Sequence, residues 1–252
     1  MSAHFMTESF GAFASVIPIV SAAALLLAAR ACSRRQSPVG VALAIFLIVW
    51  YAAAVYLSIT YNGFVSSPIG WTRGKDFQGF VVFAALQFVP LYNYHIVYMN
   101  VPQLRHFMLH EVPSWGLIGF QVYRLVGACY LYMYENGTMV NFFSLHAGFL
   151  ETLVGITALP LSITVCHCGG VKKFRVPVLL WNSLGLYSLM SAYGAYFASY
   201  FGYIDVSLSL FAFFPMSLIK LFQDPLALAI HFFFLTCADK MDFDIGQEDK
   251  KL

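Results

Sequence analysis

Charge is scarce in this sequence. Its 252 residues include 14 Lys and Arg and 12 Asp and Glu, about 10% of the chain. A soluble domain carries roughly 25%. So few charges cannot cover a water-exposed globule of this size. The formal net charge of +2 gives no basic surface for nucleic acid. Disorder is excluded as well, because a disordered chain needs the charge and the poverty of aromatics that this one lacks. There is no division by a linker, a low-complexity stretch or an internal repeat. Cysteine is sparse at five, and Cys32, Cys129, Cys166, Cys168 and Cys237 fall in or beside apolar runs, so no disulfide framework is expected. No Ser/His/Asp set, paired-carboxylate site or His-rich metal motif is legible, which argues against an enzyme and leaves no cofactor or metal implied.

What is abundant is apolar surface. Hydrophobic residues form 60% of the chain and aromatics 17%. A membrane-spanning helix needs about 20 mostly apolar residues. Seven segments meet that need, at 12–31, 39–61, 79–99, 115–134, 143–166, 176–200 and 213–238. The expectation is an all-α polytopic membrane protein, one transmembrane domain over 1–252. The start of the last span is open: Phe213 gives a long helix kinked at Pro225, and Pro225 gives a short one. The first span is read as a retained helix, because Glu8 precedes it and its basic residues follow it.

Lys and Arg set the orientation. With seven spans, Arg30, Arg34, Arg35, Arg105, Lys172, Lys173, Arg175, Lys240, Lys250 and Lys251 fall on one side. Arg73, Lys75 and Lys220 fall on the other. This bias predicts the N-terminus outside and the C-terminus inside. Asn136-Gly137-Thr138 then lies outside and has the form of a glycosylation acceptor, although it also reads as a tight turn. His106, His110 and Glu111 read as a solvated inner loop.

Strongly polar residues inside spans are costly and mark candidate sites. Gln121 and Arg124 stand three apart on the fourth span. Glu151 stands on the fifth between Gly148 and Gly155. Asn182 stands on the sixth beside Gly185, and His231 on the seventh. At about 1.5 Å per residue, Arg124 lies roughly 13 Å from the inner end of its helix. Glu151 lies about 12 Å from the outer end of the next, antiparallel helix. Across a core of about 30 Å these depths differ by less than an arginine side chain spans. An Arg124–Glu151 ion pair is therefore expected, with Gln121, Asn182 and His231 in the same layer. Such a layer can fix helix register, bind a ligand or, least expected of the three, serve catalysis.

Haem is not expected: among His95, His146 and His231 no two match in depth. A retinal protein is not expected either, because Lys220 lies toward the outer end of the last span and the third span has no Asp or Glu. Tyr193, Tyr196, Tyr200 and Tyr203 form a stripe at helical spacing, read as an interfacial belt and interhelix packing.

The motifs from Trp115 onward resemble a family of bacterial polytopic membrane proteins of no known activity. That family carries W-L-I-G-x-Q-x-Y-R, then A-G-x-x-D, then W-N-x-x-G, then a last helix with prolines and a histidine. This chain has Trp115-Gly116-Leu117-Ile118-Gly119-Phe120-Gln121-Val122-Tyr123-Arg124, Ala147-Gly148 with Glu151, Trp181-Asn182-Ser183-Leu184-Gly185, and Pro215, Pro225 and His231. Glu in place of Asp, and the polar Lys220–Asp224 segment, depart from the pattern. The resemblance implies no activity. It places Gln121, Arg124, Asn182 and His231 at motif positions.

The functional expectation is a non-catalytic structural or accessory subunit of a larger membrane assembly, with membrane lipids and other subunits as partners. The alternative is a carrier or binding protein for a small amphiphile or lipid, which would use the polar layer.

Overall fold

The structure, a computed structural model, describes residues 37–60, 100–135, 142–201, 203 and 217–241, with Ala22, Tyr92, His95 and Tyr98 as isolated positions. The expected spans at 12–31 and 79–99 lie almost wholly outside the described residues, as does Asn136. Among the described residues every regular element is helical.

Helix α1 spans Pro38–Thr60. Its proline at the first position needs no N–H there and has the helical φ already set. A short helix α2, Pro102–His106, runs into a π-helical turn, Phe107–Glu111. Helix α3, Ser114–Phe120, passes through a 3₁₀ stretch, Gln121–Gly127, into α4, Ala128–Glu135. Helix α5 spans Phe142–His167 and α6 spans Arg175–Tyr200. Gly169 and Gly170, with φ of 92° and 91°, make the turn between them in a conformation that L side chains avoid. The last helix enters through a π-helical turn, Ile219–Gln223, and continues as α7, Asp224–Cys237.

Three helices among the described residues are long and apolar enough to cross a membrane: Pro38–Ile59, Leu145–His167 and Ile219–Lys240. α6 has the length, 26 residues. Asn182, Ser183, Ser188 and Ser191 dilute its apolar character.

The last helix corrects one alternative. Helical structure is already present at Ser217 and runs through Pro225, so the short helix beginning at that proline is not what forms. Pro225 has no N–H for the carbonyl of Leu221, four residues back, and its ring crowds that carbonyl. The chain answers with the π-helical turn just before it. Trp50 Nε1 of α1 donates to the freed Leu221 carbonyl at 3.1 Å. Tyr123 Oη donates to the Gln223 carbonyl at 2.8 Å. Ser58 and Ser217 join hydroxyls alongside. In an apolar setting each such carbonyl must find a donor, and here two neighbouring elements supply one.

The segment 102–111 also departs from expectation. Phe107, Met108 and Leu109 are buried in the main core with Leu104, Val112, Ile118, Val154 and Phe234. His106 is exposed, and His110 and Glu111 are half-buried. The segment is helical, with one face in the core as well as a polar surface. Apolar patterning does not reveal it, because a helical run of ten residues is too short to register as a span.

Candidate functional site

Glycine brings α5 against the 3₁₀ stretch. A Cβ on Gly155 would lie 2.6 Å from the Leu125 nitrogen, and one on Gly148 would lie 3.0 Å from the Gly127 carbonyl. A Cβ on Gly127 would collide with that of Glu151. Backbones this close place Arg124 and Glu151 side by side.

The 3₁₀ stretch runs for seven residues, longer than the usual three or four. It makes residues three apart eclipse, so Gln121, Arg124 and Gly127 stack on one face. Its rise of about 2.0 Å per residue carries Arg124 about 1.5 Å further than an α-helix would. That shift is toward the depth of Glu151.

The Arg124 guanidinium, only 1% exposed, grips Glu151 through two parallel bonds. Nε donates to Oε2 and Nη2 to Oε1, each at 2.6 Å. Nη2 also donates to the Gly185 carbonyl at 3.3 Å. Ser188 Oγ of α6 donates to Glu151 Oε1 at 2.7 Å. Arg124 Nη1 meets His231 Nε2 at 2.8 Å. A guanidinium can only donate, so Nε2 accepts and the proton of the neutral imidazole sits on Nδ1. Nδ1 then donates to Asn182 Oδ1 at 2.8 Å. Asn182 Nδ2 closes the chain on its own helix at the Val178 carbonyl, 2.8 Å away. The Trp181 ring stands edge-on to His231 at 5.5 Å and ties α6 to α5 through Thr157 Oγ1 at 2.9 Å.

Four of the five expected site residues are thus one continuous network across α5, α6, α7 and the 3₁₀ stretch. Gln121 is fully buried but does not join it. Among the described residues neither polar atom of its amide has a hydrogen-bond partner. Gly185 is the closest point of this packing: any side chain there would run into the His231 ring.

A second buried ion pair is not among the residues the sequence singled out as a site. Lys220 Nζ lies 2.6 Å from Asp224 Oδ2, both side chains under 10% exposed. Lys220 also stands 5.7 Å from the centre of the Tyr193 ring. The spacing of four on one helix is the signal that points to it. Assigning Lys220 to the outer boundary hides it.

Both ring nitrogens of His231 are engaged, so its binding a haem iron would break the Arg124 or the Asn182 bond. His95 is exposed, and His146 packs edge-on against Tyr187 at 5.8 Å. Among the described residues no group of three or more His, Cys, Asp or Glu is placed to hold a metal ion. Cys129, Cys166, Cys168 and Cys237 are free thiols, and Cys32 lies outside the described residues. Of the tyrosine stripe, Tyr193 is buried and Tyr203 exposed; the side chains of Tyr196 and Tyr200 lie outside the described residues.

Comparison with protein families, curated proteins and solved structures finds no match for this chain.

Proposed function

We propose that this chain is a seven-helix integral membrane protein, N-terminus outside and C-terminus inside, and a non-catalytic structural or accessory subunit of a larger membrane assembly. One observation carries the reading. The polar layer satisfies itself: Arg124, Glu151, His231 and Asn182 turn their hydrogen-bonding groups on one another, on Ser188 and on backbone carbonyls. Such a layer joins helices and fixes their register. Each carboxylate oxygen of Glu151 and each ring nitrogen of His231 already has a partner within the layer. Outward-facing apolar residues support the same reading. Ile45, Phe46, Val49, Tyr56 and Ile59 on α1, and Phe149, Ile156, Leu159 and Ile163 on α5, are exposed. They suit lipid and apolar partner helices.

Native mass spectrometry of the gently solubilised protein tests this. The reading expects other membrane proteins bound in fixed stoichiometry. A bare chain carrying one tightly held small molecule would replace it with the second reading.

That second reading is a carrier or binding protein for a small amphiphile or lipid. Gln121 favours it, since a fully buried amide with both ends unpaired costs about 1–3 kcal/mol for each group, and a ligand's polar group would remove that cost. Gln121→Leu separates the two. The subunit reading expects unchanged or slightly higher stability and intact assembly. The binding reading expects loss of the bound molecule.

A further inference from the structure

Seven histidines are spread along the chain, and among the described residues one pair of them meets. His106 closes α2, and His110 lies four residues on, in the π-helical turn that follows. Their ring centres stand 4.7 Å apart with the planes tilted by 41°. His106 is exposed and His110 half-buried. Among the described residues neither imidazole makes a hydrogen bond or an ion pair. The backbone beneath them is held. Leu104, Phe107, Met108 and Leu109 are buried in the core, and the Val112 N–H reaches back to the Phe107 carbonyl at 3.1 Å. Two ligands on such a mount need little ordering before they act together.

Two histidines four apart on one helical face are a known way for a helix to hold zinc. The separation fits that use. With Zn–N of about 2.0–2.1 Å, the centre of a coordinated ring stands about 3.2 Å from the metal. At N–Zn–N angles of about 90–110°, two such centres lie about 4.5–5.2 Å apart. The observed 4.7 Å falls inside that range. Phe107 stands where a metalloprotease helix carries its general-base glutamate, so no hydrolytic step is implied. Arg105 and Glu111 flank the pair with opposite charges.

We propose that His106 and His110 form a two-imidazole zinc site on the outward face of the segment 102–111, each ring giving one nitrogen and water completing the four positions. Among the described residues no third His, Cys, Asp or Glu joins such a group, so the ion is held by two protein ligands and stays exchangeable. Zinc suits this because it has no geometric preference of its own and readily keeps water in its open positions. The site goes beyond the subunit reading and does not depend on it.

The test is zinc titration of the full chain in lipid nanodiscs, purified without a histidine tag, at fixed pH, with empty nanodiscs as the blank. The Cys166→Ser/Cys168→Ser background removes the two thiols outside the core that could take zinc themselves. In that background the chain should bind one zinc ion more than the further variant His106→Ala/His110→Ala. Losing the hydrogen-bond partner of a metal ligand costs about 10–100-fold in affinity, and losing the ligand costs at least that. His106→Ala and His110→Ala should therefore each weaken the site about tenfold or more. Gln103→His/His106→Ala keeps the number of histidines but sets the pair seven residues apart, about 10 Å along a helix, and should weaken it equally. Two results would overturn the proposal and leave the contact as ring packing only: equal zinc uptake with and without the two histidines, or a respaced variant that binds as tightly as the original pair.

Discussion

Arg124 holds the layer together because its N–H groups find acceptors on three different helices, at Glu151, Gly185 and His231. Removing it leaves Glu151 as a lone buried charge, and removing Glu151 does the same to Arg124. Either loss costs about 3–5 kcal/mol in buried pairs generally, with some softening in a membrane because charges can snorkel. Arg124→Leu and Glu151→Leu should each sharply reduce the folded fraction in detergent unfolding. The double variant should recover much of the loss. Two losses that simply add would mean that the residues do not depend on each other. Gly185→Ala should destabilise by about 1–3 kcal/mol, in the range of an overpacked core, because its methyl group meets the His231 ring; a midpoint equal to wild type would show the ring free to move. The pair and the glycines beside it were legible in the sequence, since depth along antiparallel helices is simple arithmetic. The isolation of Gln121 was not. Spacing places Gln121 on the face of Arg124, and nothing in that spacing tells that its amide finds no partner there.

At the scale of the element, irregular helix is concentrated where helices meet. The 3₁₀ stretch lies against α5, and the π-helical turn before α7 lies against α1. Tyr123 joins the two irregular segments through the Gln223 carbonyl. Pro225 announced a disturbance in the sequence. It did not say which residue would satisfy the carbonyl it frees, because that donor, Trp50, stands 171 residues away. The relation makes a coupled prediction. Trp50→Phe leaves the Leu221 carbonyl without its donor and should cost about 1–3 kcal/mol. Trp50→Phe combined with Pro225→Ala should cost less than the single change, since an alanine in place of the proline brings back an N–H within reach of that carbonyl. Unfolding midpoints of wild type, the two single variants and the double variant check it. Equal losses with and without Pro225 would show that the tryptophan acts through packing alone, for example on Phe222, whose ring lies 5.1 Å away.

At the scale of the whole molecule, apolar length and composition are what point to a membrane. Three of the helices among the described residues carry enough apolar length to cross by that measure alone; α6, with Asn182, Ser183, Ser188 and Ser191, and the 114–135 run, with Gln121 and Arg124, are more polar. If seven spans form, single cysteines placed at Gly137 and Gln247 should label from opposite sides of sealed vesicles; labelling from the same side would require an even number of spans between those two positions. The account's central claim is that the Arg124–Glu151–His231–Asn182 layer is a structural device within a membrane assembly. Native mass spectrometry of Arg124→Leu/Glu151→Leu beside wild type tests it most directly. The account predicts that both come out of the membrane with the same partner subunits in the same stoichiometry. A wild type that carries a small molecule which the folded double variant has lost would contradict it.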